Sequence, residues 1–413
     1  MSERSEGTRK HSPLDSGVPA EGGHTRIHVL GGYQTDFALK AAGLYELLEE
    51  ASRGALEATA VRPEEIQVAH VGNLAGELFA GQAQLGGMVA SIDPAWSMLP
   101  TSRHEAACAS GSMALLAAMA DLEAGRYDVA LVVGVELMRN VGAKEAAAHL
   151  GSAAWAGREA LGANYPWPSL FAEIADAIDE RYGLSHEHLA RIAEINHGNA
   201  LRNPLAQARE WSFPDGCFGE DDALNPIVEG RLRKYDCGRI TDGAAAVVLA
   251  SSRVASRGPV ISGWGHRTAP MLLADKLAVR GEYLFPHLRQ AALDAYGRAG
   301  IAVDDLDVIE THDCFTVTEY AALDHLGLTP PGQAWRAIED GVIDFGGSLP
   351  VNPSGGLIGL GHPVGATGVR MLHDAARQVS GTAGETQVEG ARTALTLNIG
   401  GSCTTVAAFV VTG

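Results

Sequence analysis

The chain has 413 residues, 46% hydrophobic and 20% charged, with a net charge of −19. That length is too great for one core and implies two or more packed units. The acidic balance excludes a nucleic-acid binder, which needs a basic footprint, and no apolar run approaches the roughly 20 residues that span a bilayer.

Residues 1–24 are polar, mix both charges with Ser, Gly and Pro, and lack the apolar stretch of a signal peptide; a disordered tail is expected there. Ile27 to Gly32 then reads as a short apolar strand ending in glycine. Residues 55–71 read as a helix, an acidic turn and a strand. Next comes His-Glu-Ala-Ala-Cys-Ala-Ser-Gly-Ser at 104–112, followed by the Ala-, Leu- and Met-rich stretch Met113 to Leu122, which reads as a helix. Cys108 therefore sits at a helix start, where unpaired N–H groups and the dipole favour a thiolate. Its small neighbours leave room for a bulky reactant. The segment alone fits a buried structural cysteine equally well.

From about Arg139 to Arg233 the pattern is interrupted by an insertion holding Trp155, Tyr165, Pro166, Trp167 and Pro168, then a helical stretch from Ser169 to Arg181. Eight of the 31 Lys and Arg residues fall in 181–240, among them Arg202, Arg231, Arg233 and Lys234. This local excess fits either an anion site or a solvated surface. Val247 to Ala250 closes the first half as a β-branched strand.

The pattern then starts again. Val260 to Gly265 matches the opening strand, and residues 292–311 repeat the helix, acidic turn and strand. Val406 to Val411 is a second closing strand. Two halves of alternating strands and helices imply an α/β fold with largely parallel sheets. At the end of the strand Leu306 to Ile309 stand His312, Asp313, Cys314 and Phe315, where open α/β sheets bind ligands. Residues 352–368 are dense in glycine around a single titratable group, His362. Such a backbone bends tightly and runs close to something. Two cysteines and two histidines on separate loops can supply a nucleophile, a base and an oxyanion clamp. Five cysteines, an odd count without regular spacing, argue against a disulfide scaffold and for a reducing cytoplasm. Their spacings fit no zinc pattern, so no metal is expected.

Three of these blocks carry a resemblance. Glu-Ala-Ala-Cys-Ala-Ser-Gly-Ser, His-Asp-Cys-Phe and Gly-His-Pro-Val-Gly-Ala-Thr-Gly, in this order and at these separations, resemble the signature blocks of the thiolases, specifically the sterol-carrier-protein-2 type. The similarity runs from about Ile27 to Val411 and includes 196–207 and 241–249. It implies two similar βαβαβαββ halves in a five-layered αβαβα arrangement, at 25–258 and 259–413. Residues 139–233 would be the loop domain that covers the site.

The roles that follow are implied by the resemblance. Cys108 would take the acyl group as a thioester. His362 would activate Cys108 and help to hold the enolate oxygen, and His312 would replace the family's usual Asn in that oxyanion hole. Cys314 would be the acid/base, because the family's usual Cys-x-Gly is here Asn398-Ile399-Gly400. Backbone N–H groups of Cys108 and Gly400 would form a second oxyanion hole. Arg202, Arg231, Arg233 and Lys234 would hold the phosphates of coenzyme A, a substrate rather than a permanent cofactor. Cys217, Cys237 and Cys403 are expected to be structural. The implied protein is a cytoplasmic homodimer or homotetramer that makes or cleaves 3-ketoacyl-CoA. Alternatives are a biosynthetic acyltransferase on a polyketide or phenolic acceptor, a CoA-linked aldolase, and a non-catalytic partner subunit. Retention of Cys108 argues against the aldolases.

Overall fold

A computed structural model describes residues 25–413; the tail expected over 1–24 lies outside the described residues. The strands are β1 (Ile27–Gln34), β2 (Val68–Gly72), β3 (Thr101–His104), β4 (Val129–Glu136), the hairpin β5 (Ile227–Glu229) and β6 (Leu232–Arg233), β7 (Gly243–Ser251), β8 (Val260–Thr268), β9 (Val308–Thr311), β10 (Thr393–Gly400) and β11 (Thr405–Thr412). Apart from the hairpin they form one sheet in the order β3-β2-β4-β7-β1-β8-β11-β10-β9. The first five belong to one half and the last four to the other. The pairs Ile27–Ile261 and His28–Val260 join them, with a hydrogen bond from the Val29 N–H to the Pro259 carbonyl at 2.8 Å.

β4 and β7 are buried along their whole length. Their apolar runs do not alternate because both faces are covered. On one side the helix Leu44–Thr59 packs its leucine face on the first half-sheet, and Pro286–Ala299 does the same on the second. On the other side lie the helices Ser110–Glu123 and Thr367–Val379, packed on each other and between the two half-sheets. Leu115, Met119, Leu372 and Ala375 share one core with strand residues of both halves. The result is the five-layered order of helix, sheet, helix, sheet, helix.

The internal repeat extends to detail. Each half runs from its outer helix through a short 3₁₀ turn, Pro63–Glu65 or Val303–Asp305, into a strand. The second half departs at its third strand, which shrinks to a single bridge between Ile309 and Val351.

The insertion forms the helices Ala143–Gly151, Pro166–Tyr182 and His186–Ala200. The second of these starts earlier than the sequence suggests, because Pro166 and Pro168 lie in its first turn. No backbone N–H is needed there, and proline's fixed φ suits the helix. The insertion packs on the second half: Leu170, Phe171 and Ile192 share a core with Leu288, Phe315 and Leu357. No helix among the described residues is long and apolar enough to cross a membrane.

Candidate active site

Cys108 stands on a sharp strand–turn–helix corner between β3 and the helix Ser110–Glu123. Ala107 takes a left-handed φ of 52°, a strained conformation for a residue with a Cβ. Two contacts brace it. The Ala107 N–H donates to Glu105 Oε1 at 2.6 Å, and Ser110 Oγ donates to the Ala107 carbonyl at 2.6 Å. The corner lifts Cys108 into a cavity of about 470 Å³, which is also lined by Cys314, His362, Phe171, Lys234 and Arg239.

The helix start was expected to make Cys108 a thiolate, but it does not. Burial pushes the thiol up to about 12, and the N–H of Gly401 facing the sulfur offsets only part of this. The helix begins two residues later, at Ser110. At neutral pH Cys108 rests as a thiol and needs a base.

His362 is suited to that role. Its loop crosses the first half closely: a Cβ at Gly111 would lie 2.7 Å from the Gly365 carbonyl, so only glycine fits there. Glu136, buried at the end of β4, fixes the same loop. It accepts from the N–H groups of Leu74, Ala75 and Gly365 and from Asn73 Nδ2, at 2.9–3.1 Å. Within the loop, Thr367 Oγ1 donates to the Pro363 carbonyl at 3.1 Å and lies 2.7 Å from His362 Nδ1. The hydroxyl proton is used, so Thr367 accepts from His362 Nδ1–H. That leaves His362 Nε2 bare, and it has no hydrogen-bond partner among the described residues. Burial, reinforced by the charge of Arg370, holds the ring neutral, with its pKa lowered to about 3. A buried neutral imidazole with a free Nε2 is a proton acceptor.

His312 follows β9 directly. Its ring meets that of His362 edge to face at 5.3 Å between centroids. One nitrogen of each ring and the sulfur of Cys108 all lie within 4.8 Å of one another. Burial also holds His312 well below its ordinary pKa. Cys314 is buried on the cavity wall, its sulfur 3.8 Å from Thr318 Oγ1. Burial, with Cys108 nearby, keeps it a thiol. Asp313, between them, accepts from the N–H groups of Leu357 and Ile358 and from Asn196 Nδ2, tying this loop to the glycine-rich segment and to the insertion. Phe315 stacks on Phe171 at 4.4 Å, and Gly238 N–H donates to the Cys314 carbonyl at 2.8 Å. The insertion is thereby held over the sulfurs.

The structure therefore brings Cys108, His312, Cys314 and His362 to one place. Gly400 ends β10 against the Cys108 corner, where a side chain would strike the Ala106 carbonyl. The amide that faces the sulfur is that of the next residue, Gly401. Cys403 is buried and does not line the cavity. The basic cluster separates in space. Lys234 lines the cavity, as does Arg239. Arg231 pairs with Asp176 and Asp179, Arg233 with Asp222, and Arg202 stacks on Phe345, all away from the cavity lining. Sequence reasoning missed Thr367, Glu136 and Ser112 as partners of the site, and met Asn398 only as the replacement of the usual acid/base cysteine.

The family model for the thiolase N-terminal domain matches residues 25–253, and that for the thiolase C-terminal domain-like region matches 274–412. Acetyl-CoA acetyltransferase of Methanothermobacter thermautotrophicus is 34% identical, covering 93% of this chain and 98% of that one. Human sterol carrier protein 2 is 29% identical, covering 91% of this chain and 70% of its own length. Among solved structures, the Ltp2-ChsH2(DUF35) aldolase shares the fold with a TM-score of 0.76 at 20% identity, covering 94% of this chain and 98% of its own. By its sequence along almost its whole length, this chain belongs to the thiolase family.

Proposed function

We propose that the protein is a thiolase-type acyltransferase that makes or cleaves 3-ketoacyl-CoA through an acyl group on Cys108. The observation that carries this is the convergence of the half-buried Cys108 sulfur with a ring nitrogen of the neutral His362, whose Nε2 has no hydrogen-bond partner among the described residues. The resting protonation states suit the cleavage direction. His362 Nε2 takes the Cys108 proton, and the thiolate attacks the 3-keto carbonyl. The carbon–carbon bond breaks, leaving acyl-Cys108 and the enolate of acetyl-CoA. The Cys314 thiol protonates that enolate at carbon. Free CoA then gives its thiol proton to Cys314 and attacks the acyl-Cys108 carbonyl. Acyl-CoA leaves, and Cys108 recovers its proton from His362. Condensation is the reverse. The N–H groups of Cys108 and Gly400, with His312 and His362, would stabilise the developing oxyanions; one such fixed donor is typically worth about 10²–10³ in rate.

Lys234 and Arg239, at the cavity wall, supply positive charge for coenzyme A within an acidic protein. Coenzyme A is then a substrate, with no permanent cofactor. The family likeness supports a role in lipid metabolism and a homodimeric or homotetrameric state, and the odd, irregularly spaced cysteines support a cytoplasmic setting. The test is thiolysis of acetoacetyl-CoA with intact-mass detection of the enzyme. One acyl group should appear on Cys108, and Cys108→Ala should lose both the adduct and turnover. An adduct mapped to Cys314 or Cys403 would refute the assignment.

A further inference from the structure

We propose that Asn398, anchored by Ser112, is the positioning residue that holds His312 in its Nε2–H tautomer. His312 is then a hydrogen-bond donor where its neighbour His362 is an acceptor. The inference deepens the thiolase reading and, for its chemical consequence, rests on it.

A single amide links Ser112 to His312. Ser112, in the first turn of the helix that follows Cys108, donates its hydroxyl to Asn398 Oδ1 at 2.7 Å. The Ser112 hydroxyl has no other acceptor among the described residues, and an amide accepts only through its oxygen, so this bond orients the amide. It turns Nδ2 toward His312 Nδ1, 3.1 Å away. An amide nitrogen can only donate, so His312 Nδ1 must hold the lone pair and the ring proton must sit on Nε2. His362 is fixed the opposite way by Thr367, with its proton on Nδ1. Ser112, Asn398 and His312 are all buried, so water does not compete for these bonds.

The pairing has a second physical basis. Two neutral rings stand edge to face with one nitrogen of each near one sulfur. Two bare lone pairs there would repel each other and would leave an oxyanion without a donor. Opposite tautomers give one group that accepts the Cys108 proton and one that donates to an oxygen, and neither ring needs a charge. Asn398 occupies the position of the usual family cysteine, so the residue that replaces the acid/base does its own work through His312.

The test has a spectroscopic arm and a kinetic arm. In protein labelled with ¹⁵N-histidine, His312 is assigned by the signals lost in His312→Gln. It should show a pyridine-type Nδ1 and a pyrrole-type Nε2. In Asn398→Asp, a carboxylate accepts from Nδ1–H instead, so Nε2 carries a proton only in the imidazolium form. Condensation by this variant should fall by about 10²–10³ as pH rises from about 6 to about 9, while the wild type shows no such loss. The groups nearest His312 are His362, Arg370, Cys108 and Cys314, and burial and neighbouring charges place the transitions of these four outside that window. The buried carboxyls beyond them, Asp313, Glu310 and Glu319, titrate at about 6, 7 and 8 in wild type and variant alike, so the readout is the loss in the variant relative to the wild type at each pH. Acylation of Cys108, which relies on His362 and the backbone donors, should persist in the variant at both pH values. If Asn398→Asp does not fold, Asn398→Leu should give a mixture of His312 tautomers and slower condensation at every pH. A wild-type Nδ1–H signal for His312, or a pH-independent Asn398→Asp, would overturn the inference. Failure of the wild type to process any 3-ketoacyl-CoA would refute the thiolase reading and leave the tautomer measurement valid.

Discussion

Thr367→Val tests how the base is prepared. Valine matches threonine in shape but cannot accept the 2.7 Å bond from His362 Nδ1–H. The native bond keeps the ring proton away from Nε2, the atom that must receive the Cys108 proton. A hydrogen bond of this kind contributes about 1 kcal/mol net, and a buried donor left without a partner costs about 1–3 kcal/mol. Without Thr367 neither ring nitrogen has a partner, so nothing keeps the proton on Nδ1, and the Nε2–H form that then becomes populated cannot act as the base. A shift of one or two kcal/mol changes the ratio of the two tautomers by roughly 5–30-fold. The rate of Cys108 acylation should fall by up to that factor, while substrate affinity changes little. Rapid mixing with acetyl-CoA, acid quench and intact-mass analysis measure this step before any later one. Thr367→Ser should restore most of the rate, because it returns the acceptor. Wild-type acylation by Thr367→Val would show that Thr367 does not set the tautomer, and the assignment of His362 as a prepared base would fail.

Cys314→Ala should still acylate Cys108 but should neither condense two acetyl-CoA molecules nor exchange the acetyl methyl protons with deuterium from solvent; both are followed by mass spectrometry. Lys234→Glu combined with Arg239→Glu should raise KM for CoA roughly tenfold and change kcat less. The wild-type advantage should shrink with added salt, because both charges are partly open to solvent, where screening acts over about 8–10 Å. Burial lifts Glu319, which accepts from Asn196 and Asn352, up to about 8, well above its unfolded value of about 4.3. Its protonated form is thus favoured by the folded state. The stability this contributes is full below about pH 4.3 and lost as pH rises through about 8. Melting temperature should therefore fall with rising pH more steeply in the wild type than in Glu319→Gln, and parallel curves would contradict this.

The residues that the structure brings together at the cavity could be read in the sequence because each sits in a short block of distinctive composition. Cys108 lies among small residues before a helix, His312 and Cys314 end a strand, and His362 is surrounded by glycines. The repeat of helix, turn and strand was legible for the same reason, since hydrophobic period is a local property. What prepares these groups was not. Ser112 and Asn398 are 286 positions apart, and their bond leaves no trace in either segment. Thr367 reads as part of a glycine-rich turn until its hydroxyl is placed. The thiolate expected at Cys108 failed because a helix start shows in sequence and the depth of the surrounding protein does not. The basic cluster at 181–240 failed differently. Closeness along the chain put Arg231 and Arg233 beside carboxylates of their own segment, and only Lys234 and Arg239 reached the cavity.

The contact between Gly111 and Gly365 bears on how the enzyme keeps its gauge. Cys108 belongs to one half of the duplicated chain, and His312, Cys314 and His362 to the other. Were the halves spaced by side chains, each rotamer hop at their boundary would be passed on to the gap between sulfur and imidazole. Here main chain rests on main chain, and nothing at that point can hop. The molecule works like a vice closed onto a hard stop: the jaws are separate castings, but their separation is set by bare metal. Diversification of the outer helices and of the covering insertion can then proceed without detuning the reaction, while a single methyl group at the stop would open the jaws.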